Sequence, residues 1–465
     1  MSSLLTETPE TKSVAASKAP AKRGAPPSLR QHYPLQFVLE LARDRIGLFQ
    51  SMAKLGDITQ IKIATQRVVL VQDPDAIKSV LVTNQKNFVK GRALDRVKVL
   101  LGQGLLTNEG EAHLRQRRLM QPAFHKDRIA SYASVMSEHG ERIQQRWSDG
   151  ETLDIHEEMM HVTLGIATKT LFNADVENEA KDVAEALDLS LKMFDLAILP
   201  GGAFLEYLPV IPWVRKVQAS RRRMDELIYR IVSERRKDGR DHGDLLSMLI
   251  AATDTEGDGK GMSDQQLRDE LVTIMMAGHE TTAVALSWTW YLLSQNPDVE
   301  AKLHEELDRV LGGRTPTYDD LPNLTYTRMV LAESMRLYPP AWTLERMAVN
   351  DCEIGGYTIK ANTLVLMSQY IAHRDPRWWP EPEKFDPMRW TPEAQTGRPK
   401  FAYFPFGAGT RICIGEQFAW MEGTLLLAAI AQRWKMRHDP THVVEKDPLV
   451  TLRPKYGMRM TLTRR

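Results

Sequence analysis

Phe404-Pro-Phe-Gly-Ala-Gly-Thr-Arg-Ile-Cys-Ile-Gly415 is the stretch on which the reading of this chain turns. It sets Cys413 in a glycine-rich run, two residues after Arg411 and directly ahead of an apolar helical pattern over residues 415–434. Gly407, Gly409 and Gly415 let the backbone turn sharply and come close to a flat ligand. A helix starting here aims its positive end and free N–H groups at the sulfur, favouring the thiolate. Arg411 is placed to reach an anionic group on the same ligand. Read alone, the stretch also suits a buried, inert cysteine in a Gly-rich turn.

The bulk properties leave room for such a site. A chain of 465 residues suggests about three domains by length alone. No linker interrupts it after the N-terminal stretch, however, so we expect a disordered tail over 1–30 and one large domain over 31–465. The first 30 residues are rich in Ala, Ser, Pro, Lys and Thr and lack an apolar run, which excludes a signal peptide or membrane anchor there. With 43% hydrophobic residues the core is ample, and a net charge of +1 gives no argument for nucleic acid or an anionic membrane as partner. Two cysteines, Cys352 and Cys413, make no disulfide framework and point to a cytoplasmic protein. Cys352 falls in a strand-turn pattern over 351–359 and is read as structural.

Along the chain, 58–63 and 67–71 form a β-hairpin pattern. Residues 76–237 are mostly helical, with a basic amphipathic helix over 221–236. Ser263 and Gln266 form a capping box for a long helix that runs to Asn296, where Pro297 stops it. The apolar run 271–293 inside it carries Gly278, His279, Glu280, Thr281 and Thr282 at its middle, which favours a buried core helix over a membrane span. A helix over 326–337 follows, then short β segments to 369, and a C-terminal hairpin over 450–462. The fold class expected is mainly α with a small β portion, without the regular β-α alternation of a doubly wound sheet.

Four further patterns carry chemistry. In Ala277-Gly-His-Glu-Thr-Thr282, Gly278 leaves room beside the helix, and Thr281 can bond a carbonyl one turn back. An acid next to a hydroxyl, Glu280 and Thr281, forms a proton-delivery station, with a kinked core helix as the plainer alternative. Glu333 and Arg336 stand at i and i+3 and can pair; Arg389 in the Pro-rich stretch 380–390 offers a second guanidinium for the same glutamate. His113 and Arg117 share one helix face suited to an anion.

The spacing Phe406-x-x-Gly409-x-Arg411-x-Cys413-x-Gly415 matches the haem-binding signature of the cytochrome P450 family, and the other patterns follow in that family's order over nearly the whole chain after the tail. The resemblance implies a P450 fold, with haem b between the long helix and the cysteine helix. It makes Cys413 the axial iron ligand. Phe406, Gly407, Gly415 and Ala277 become haem contacts, and Arg411, Arg346, His113 and Arg117 propionate contacts, with His113 standing where many members have Trp. Glu280 and Thr281 take the acid and alcohol roles; Glu333, Arg336 and Arg389 form the structural triad. The implied reaction is insertion of one O2-derived oxygen atom into a C–H bond of a hydrophobic substrate. The thiolate "push" toward O–O cleavage belongs to the family's haem ligation in general.

By the same resemblance the substrate is a fatty acid, terpenoid or steroid-like molecule. It would be faced by segments 92–106, 191–208 and 341–344, with Met193, Phe194, Met276, Ala341, Trp342, Thr343, Val450 and Thr451 among the contacts and Phe204 as a further large side chain. Electrons come ultimately from NAD(P)H through a ferredoxin and its reductase. They dock on a positive patch of Arg115, Arg118, Lys126 and Arg433. The lack of an amino-terminal anchor and the short C-terminal extension suggest a monomeric, cytoplasmic, bacterial-type member without a fused reductase. A peroxide-driven peroxygenase and a haem-based sensor are the alternatives. The first usually lacks an acid-alcohol pair, and the second needs an output domain.

Overall fold

A single helix of 32 residues, Asp264–Gln295, organises the molecule. Ser263 Oγ accepts the Gln266 N–H at 3.2 Å, and the Gln266 side chain accepts the Ser263 N–H at 3.0 Å, closing the expected capping box. At its far end Asn296 leaves helical geometry, and Pro297 opens the next helix, Pro297–Val310. The central helix is thus about 48 Å long. It is buried on nearly every side, including Leu271, Val272, Met275, Ala283, Leu286 and Trp288, as expected of a helix apolar all round in a large core. Among the described residues, no helix is long and apolar enough to cross a membrane.

This is a computed structural model, and it describes residues 24–32, 35–63, 65–91, 94–95, 98, 101–173, 186, 189, 193 and 211–465. Helices Ala133–Gln144, Ile155–Phe172, Thr325–Leu337 and Glu416–Ala431 pack around the central helix in one core. Pro212–Asp238, the basic helix expected over 221–236, turns Val214, Val217, Met224, Ile228 and Val232 into a second. Its arginines alternate with these at helical spacing, the amphipathic arrangement.

The main sheet has five strands: β1 (Ile58–Ile63), β2 (Gln66–Val71), β3 (Phe88–Val89), β4 (Leu344–Ala348) and β5 (Leu364–Met367), in the order β1-β2-β5-β4-β3. β1 and β2 form the expected hairpin, with Ile58 opposite Val71. β2 runs parallel to β5, which pairs antiparallel with β4 so that Arg346 lies opposite Val365. Cys352 sits half-buried in a small hairpin of Cys352–Ile354 and Tyr357–Ile359.

Three expectations are corrected. The helix expected over 415–434 ends at Ala431. Gln432 and Arg433 break the apolar pattern, and Trp434 instead opens strand Trp434–His438, which pairs with Arg459–Arg464. The C-terminal hairpin over 450–462 does not form: Leu452–Pro454 pairs with Lys446–Pro448, while Arg459–Arg464 lies between Trp434–His438 and Thr152–Asp154. Finally, ordered chain begins before residue 31. Ser28 bridges to Gln60, and the carbonyls of Pro26 and Pro27 accept from the side chain and backbone of Gln60 at 2.8 Å each; residues 1–23 lie outside the described residues.

Candidate active site

The cysteine loop is shaped by two left-handed glycines. Gly407 and Gly409 have φ of 70° and 69°. A side chain at 409 would also meet the Leu81 carbonyl oxygen at 2.0 Å, so only glycine fits. Gly415 differs from expectation: its φ is −87°, which any residue adopts. Its contribution is its N–H, which donates to the Cys413 sulfur. The Cys413 N–H in turn donates to the Phe406 carbonyl at 3.0 Å. The thiol is open to a cavity of about 810 Å³ inside the protein. Burial pushes it up from its ordinary range, opposed by the Gly415 N–H and the Arg117 guanidinium.

Basic side chains gather in the lining of this cavity. His113, Arg117, Arg346 and Arg411 all line it, as does Lys90. Arg411 donates to the Asn108 carbonyl at 2.7 Å and pairs with Glu109. Arg117 donates to the Ile412 carbonyl at 2.7 Å, and Arg346 to that of Glu345 at 2.8 Å. Burial, then Arg411, pushes Lys90 down to about 7 and His113 down to about 3. Burial also lowers Arg346 and Arg411; Glu109 opposes it at both, and repulsion from a neighbouring arginine adds to it. Buried basic groups that outnumber the carboxylates acting on them, Glu109 and Glu345, fit a ligand that brings negative charge of its own.

The central helix forms another wall, where Ala277, Gly278, Thr281 and Thr282 line the cavity. A Cβ at Gly278 would meet nothing within 4 Å, so the space beside it is open. The Thr281 hydroxyl donates to the Ala277 carbonyl at 2.7 Å, one turn back. Glu280 is buried and does not line the cavity; its carboxylate accepts from the Thr451 hydroxyl at 2.7 Å.

Below the cysteine loop, Glu333 and Arg336 meet in two parallel hydrogen bonds of 2.9 Å, and Arg389 pairs with Glu333 at 3.2 Å. Trp390 Nε1 and the Asp386 N–H also donate to this carboxylate, at 3.0 and 3.1 Å. Arg336 further donates to the carbonyls of His373, Pro382 and Lys384. The His373 ring accepts the Phe404 N–H at 3.0 Å. The triad thereby fastens the Pro-rich stretch and, through His373, the first residue of the cysteine loop.

Of the expected substrate contacts, Ala341, Trp342, Thr343 and Val450 line the cavity. Met193, Met276 and Thr451 do not. The two methionines are packed into the second core, and the Thr451 hydroxyl is taken by Glu280. Met276 precedes Ala277 by one position, about 100° around a helix, enough to turn it away. Phe194 and Phe204 lie outside the described residues. Of the residues expected in the positive docking patch, Arg118 pairs with Asp254 at 2.9 Å, Arg115 with Asp258 at 3.3 Å and Arg433 with Glu141 at 2.5 Å. These acids offset charge on the three arginines.

Sequence reasoning missed Lys90, whose ammonium donates to the carbonyls of Leu105, Leu106 and Asn108. It also missed Asp269 and Glu270, which accept the backbone N–H groups of Gln103 and Leu105 at 2.8 and 2.9 Å and clamp the cavity-lining loop to the central helix. Nothing local marks these residues, since their partners lie far along the chain.

A thiol, a buried cation cluster and an apolar wall with an open strip match the donor set of an iron porphyrin: sulfur for the metal, cations for two propionates, apolar surface for the ring. Comparisons agree. The cytochrome P450 family model matches residues 26–460. The chain is 39% identical to cyclooctatin synthase of Streptomyces melanosporofaciens over 89% of its length and 90% of that protein. It is 37% identical to cyclooctat-9-en-7-ol 5-monooxygenase of the same organism, over 90% and 93%. Pentalenene oxygenase of Streptomyces avermitilis is 33% identical over 92% and 94%. The crystal structure of the cytochrome P450DA heme domain superposes with a TM-score of 0.85 at 27% identity, over 96% of this chain and 99% of that one. The chain therefore belongs to the cytochrome P450 family, as a haem b-dependent monooxygenase.

Proposed function

We propose that this monooxygenase hydroxylates a terpenoid, drawing electrons from a ferredoxin and its reductase in the cytoplasm. The observation that carries the reading is the Cys413 thiol on one wall of a largely apolar cavity, with Thr281 on another and the cation cluster in its lining. Leu94, Leu105, Leu106, Ile274, Leu344 and Val450 give the cavity a lining that suits a compact hydrocarbon. The names of three relatives, a cyclooctatin synthase, a cyclooctat-9-en-7-ol 5-monooxygenase and a pentalenene oxygenase, support this reading.

When bound at Cys413, haem b supplies the oxygen activation. The chain's residues do the rest. Lys90, His113, Arg117, Arg346 and Arg411 hold the propionates. Ala277 and Gly278 leave space beside the helix. The Thr281 hydroxyl orients a water, and Glu280 holds a proton for delivery toward it. The apolar wall keeps other water out.

The test is a panel of pentalenene, geranylgeraniol, palmitic acid and testosterone, read as a low- to high-spin shift of the purified haem protein. Turnover with a surrogate ferredoxin and reductase follows. A shift and a product carrying one added oxygen with a terpenoid supports the reading. A response confined to palmitic acid or testosterone, or turnover with peroxide but not with the electron donors, overturns it.

A further inference from the structure

We infer that Thr451 is a positioning residue that sets the direction of the Glu280 carboxyl and so ties the substrate-facing turn at 449–451 to the acid of the proton path. This rests on the role proposed above for Glu280. Thr451 donates its hydroxyl to Glu280 Oε1 at 2.7 Å, and both residues are buried. A hydrogen bond to a carboxylate away from water is stronger than its surface counterpart.

Helix geometry explains why the acid needs such a partner. Consecutive positions point about 100° apart, so with Thr281 lining the cavity, Glu280 is directed elsewhere. It meets the turn that follows strand Lys446–Pro448. That turn is rigid. Trp342 Nε1 donates to the Leu449 carbonyl at 2.8 Å, the Leu452 N–H donates to the Pro340 carbonyl at 2.9 Å, and Trp288 Nε1 donates to the Leu452 carbonyl at 2.7 Å. Leu449 and Val450 line the cavity, while Thr451, the next residue, faces the acid. A guest in contact with Val450 therefore touches the same short turn that holds Glu280. Guest shape and acid placement are coupled through one peptide segment.

The experiment uses the haem-loaded protein and the variants Thr451→Val, Thr451→Ser and Glu280→Gln. Infrared spectra of the carboxyl region identify the Glu280 band as the one lost in Glu280→Gln. Peroxide released per NAD(P)H consumed is read in parallel, with pentalenene present. We expect Thr451→Val to shift the Glu280 band and to change the peroxide share roughly tenfold, the scale of one hydrogen bond to a charged group. Thr451→Ser should restore both. A Glu280 band unmoved by Thr451→Val overturns the inference even if Glu280→Gln raises peroxide. If the band moves but Glu280→Gln leaves peroxide unchanged, the link between the residues stands and the proton role of Glu280 fails.

Discussion

Glu333 and Arg336 are both fully buried and share two hydrogen bonds of equal length, 2.9 Å, one turn apart on the same helix. An i, i+3 pair on a surface contributes little. Here the pair is the anchor of an irregular segment that ends at the cysteine loop.

Removing the carboxylate leaves two guanidinium groups, those of Arg336 and Arg389, without their shared partner inside the protein. Breaking a buried pair in this way costs about 3–5 kcal/mol. Glu333→Ala is expected to lower the melting temperature and to yield protein with little haem; a fully haem-loaded variant of wild-type stability would contradict the anchoring role.

Thr281→Ala removes the hydroxyl that lines the cavity above Ala277. Reducing equivalents should drain to peroxide, with product per NAD(P)H falling roughly tenfold. Thr281→Ser should recover most of the coupling. Unchanged coupling in the alanine variant would count against a proton role for this residue.

Glu422 lies fully buried on the cysteine helix, where Thr282 is the side chain that reaches it, and burial pushes its carboxyl from an ordinary 4.5 up to about 8. Between these values the unfolded chain has released a proton that the folded one keeps. Its contribution is therefore present below 4.5 and is lost as pH rises through about 8, at about 1.4 kcal/mol per unit. Glu422→Gln cannot ionise, so its stability relative to wild type should grow from about pH 5 to about pH 8. Unfolding curves that stay parallel over that range would refute the burial argument.

Lys90 should show opposite effects in the presence and absence of haem. Burial, then Arg411, pushes it down to about 7 against the opposing pull of Glu109. Lys90→Gln is therefore expected to raise the melting temperature of haem-stripped protein, yet to speed haem loss from the loaded form severalfold. A variant that loses haem at the wild-type rate would remove Lys90 from the propionate cluster.

What was legible in the sequence is what is local. Gly407, Gly409, Arg411 and Cys413 lie within seven residues, and the Ser263–Gln266 box and the Glu333–Arg336 spacing are each readable from one turn of helix. Lys90 and Glu270 were not, because a lone lysine after a strand and an acid on a long helix acquire meaning only when loop 101–108 folds between them. Met276 and Ala277 are alike in polarity, and only helix phase sends one to the core and the other to the cavity. Thr451 was misplaced for a similar reason: alternation in a tight turn decides which neighbour faces the guest. Trp434 belongs to the ladder to Arg464 rather than to the helix, which stops where Gln432 and Arg433 interrupt the apolar run.

Everything about the chemistry depends on the Cys413 sulfur being the group that binds iron. The direct measurement is the absorption spectrum of the reduced, CO-bound protein, in wild type and in Cys413→His. Wild type should give the red-shifted Soret band of a thiolate-ligated haem, and the variant should take up haem but lack that band. A wild-type spectrum typical of nitrogen ligation, or persistence of the red-shifted band in Cys413→His, would contradict the assignment.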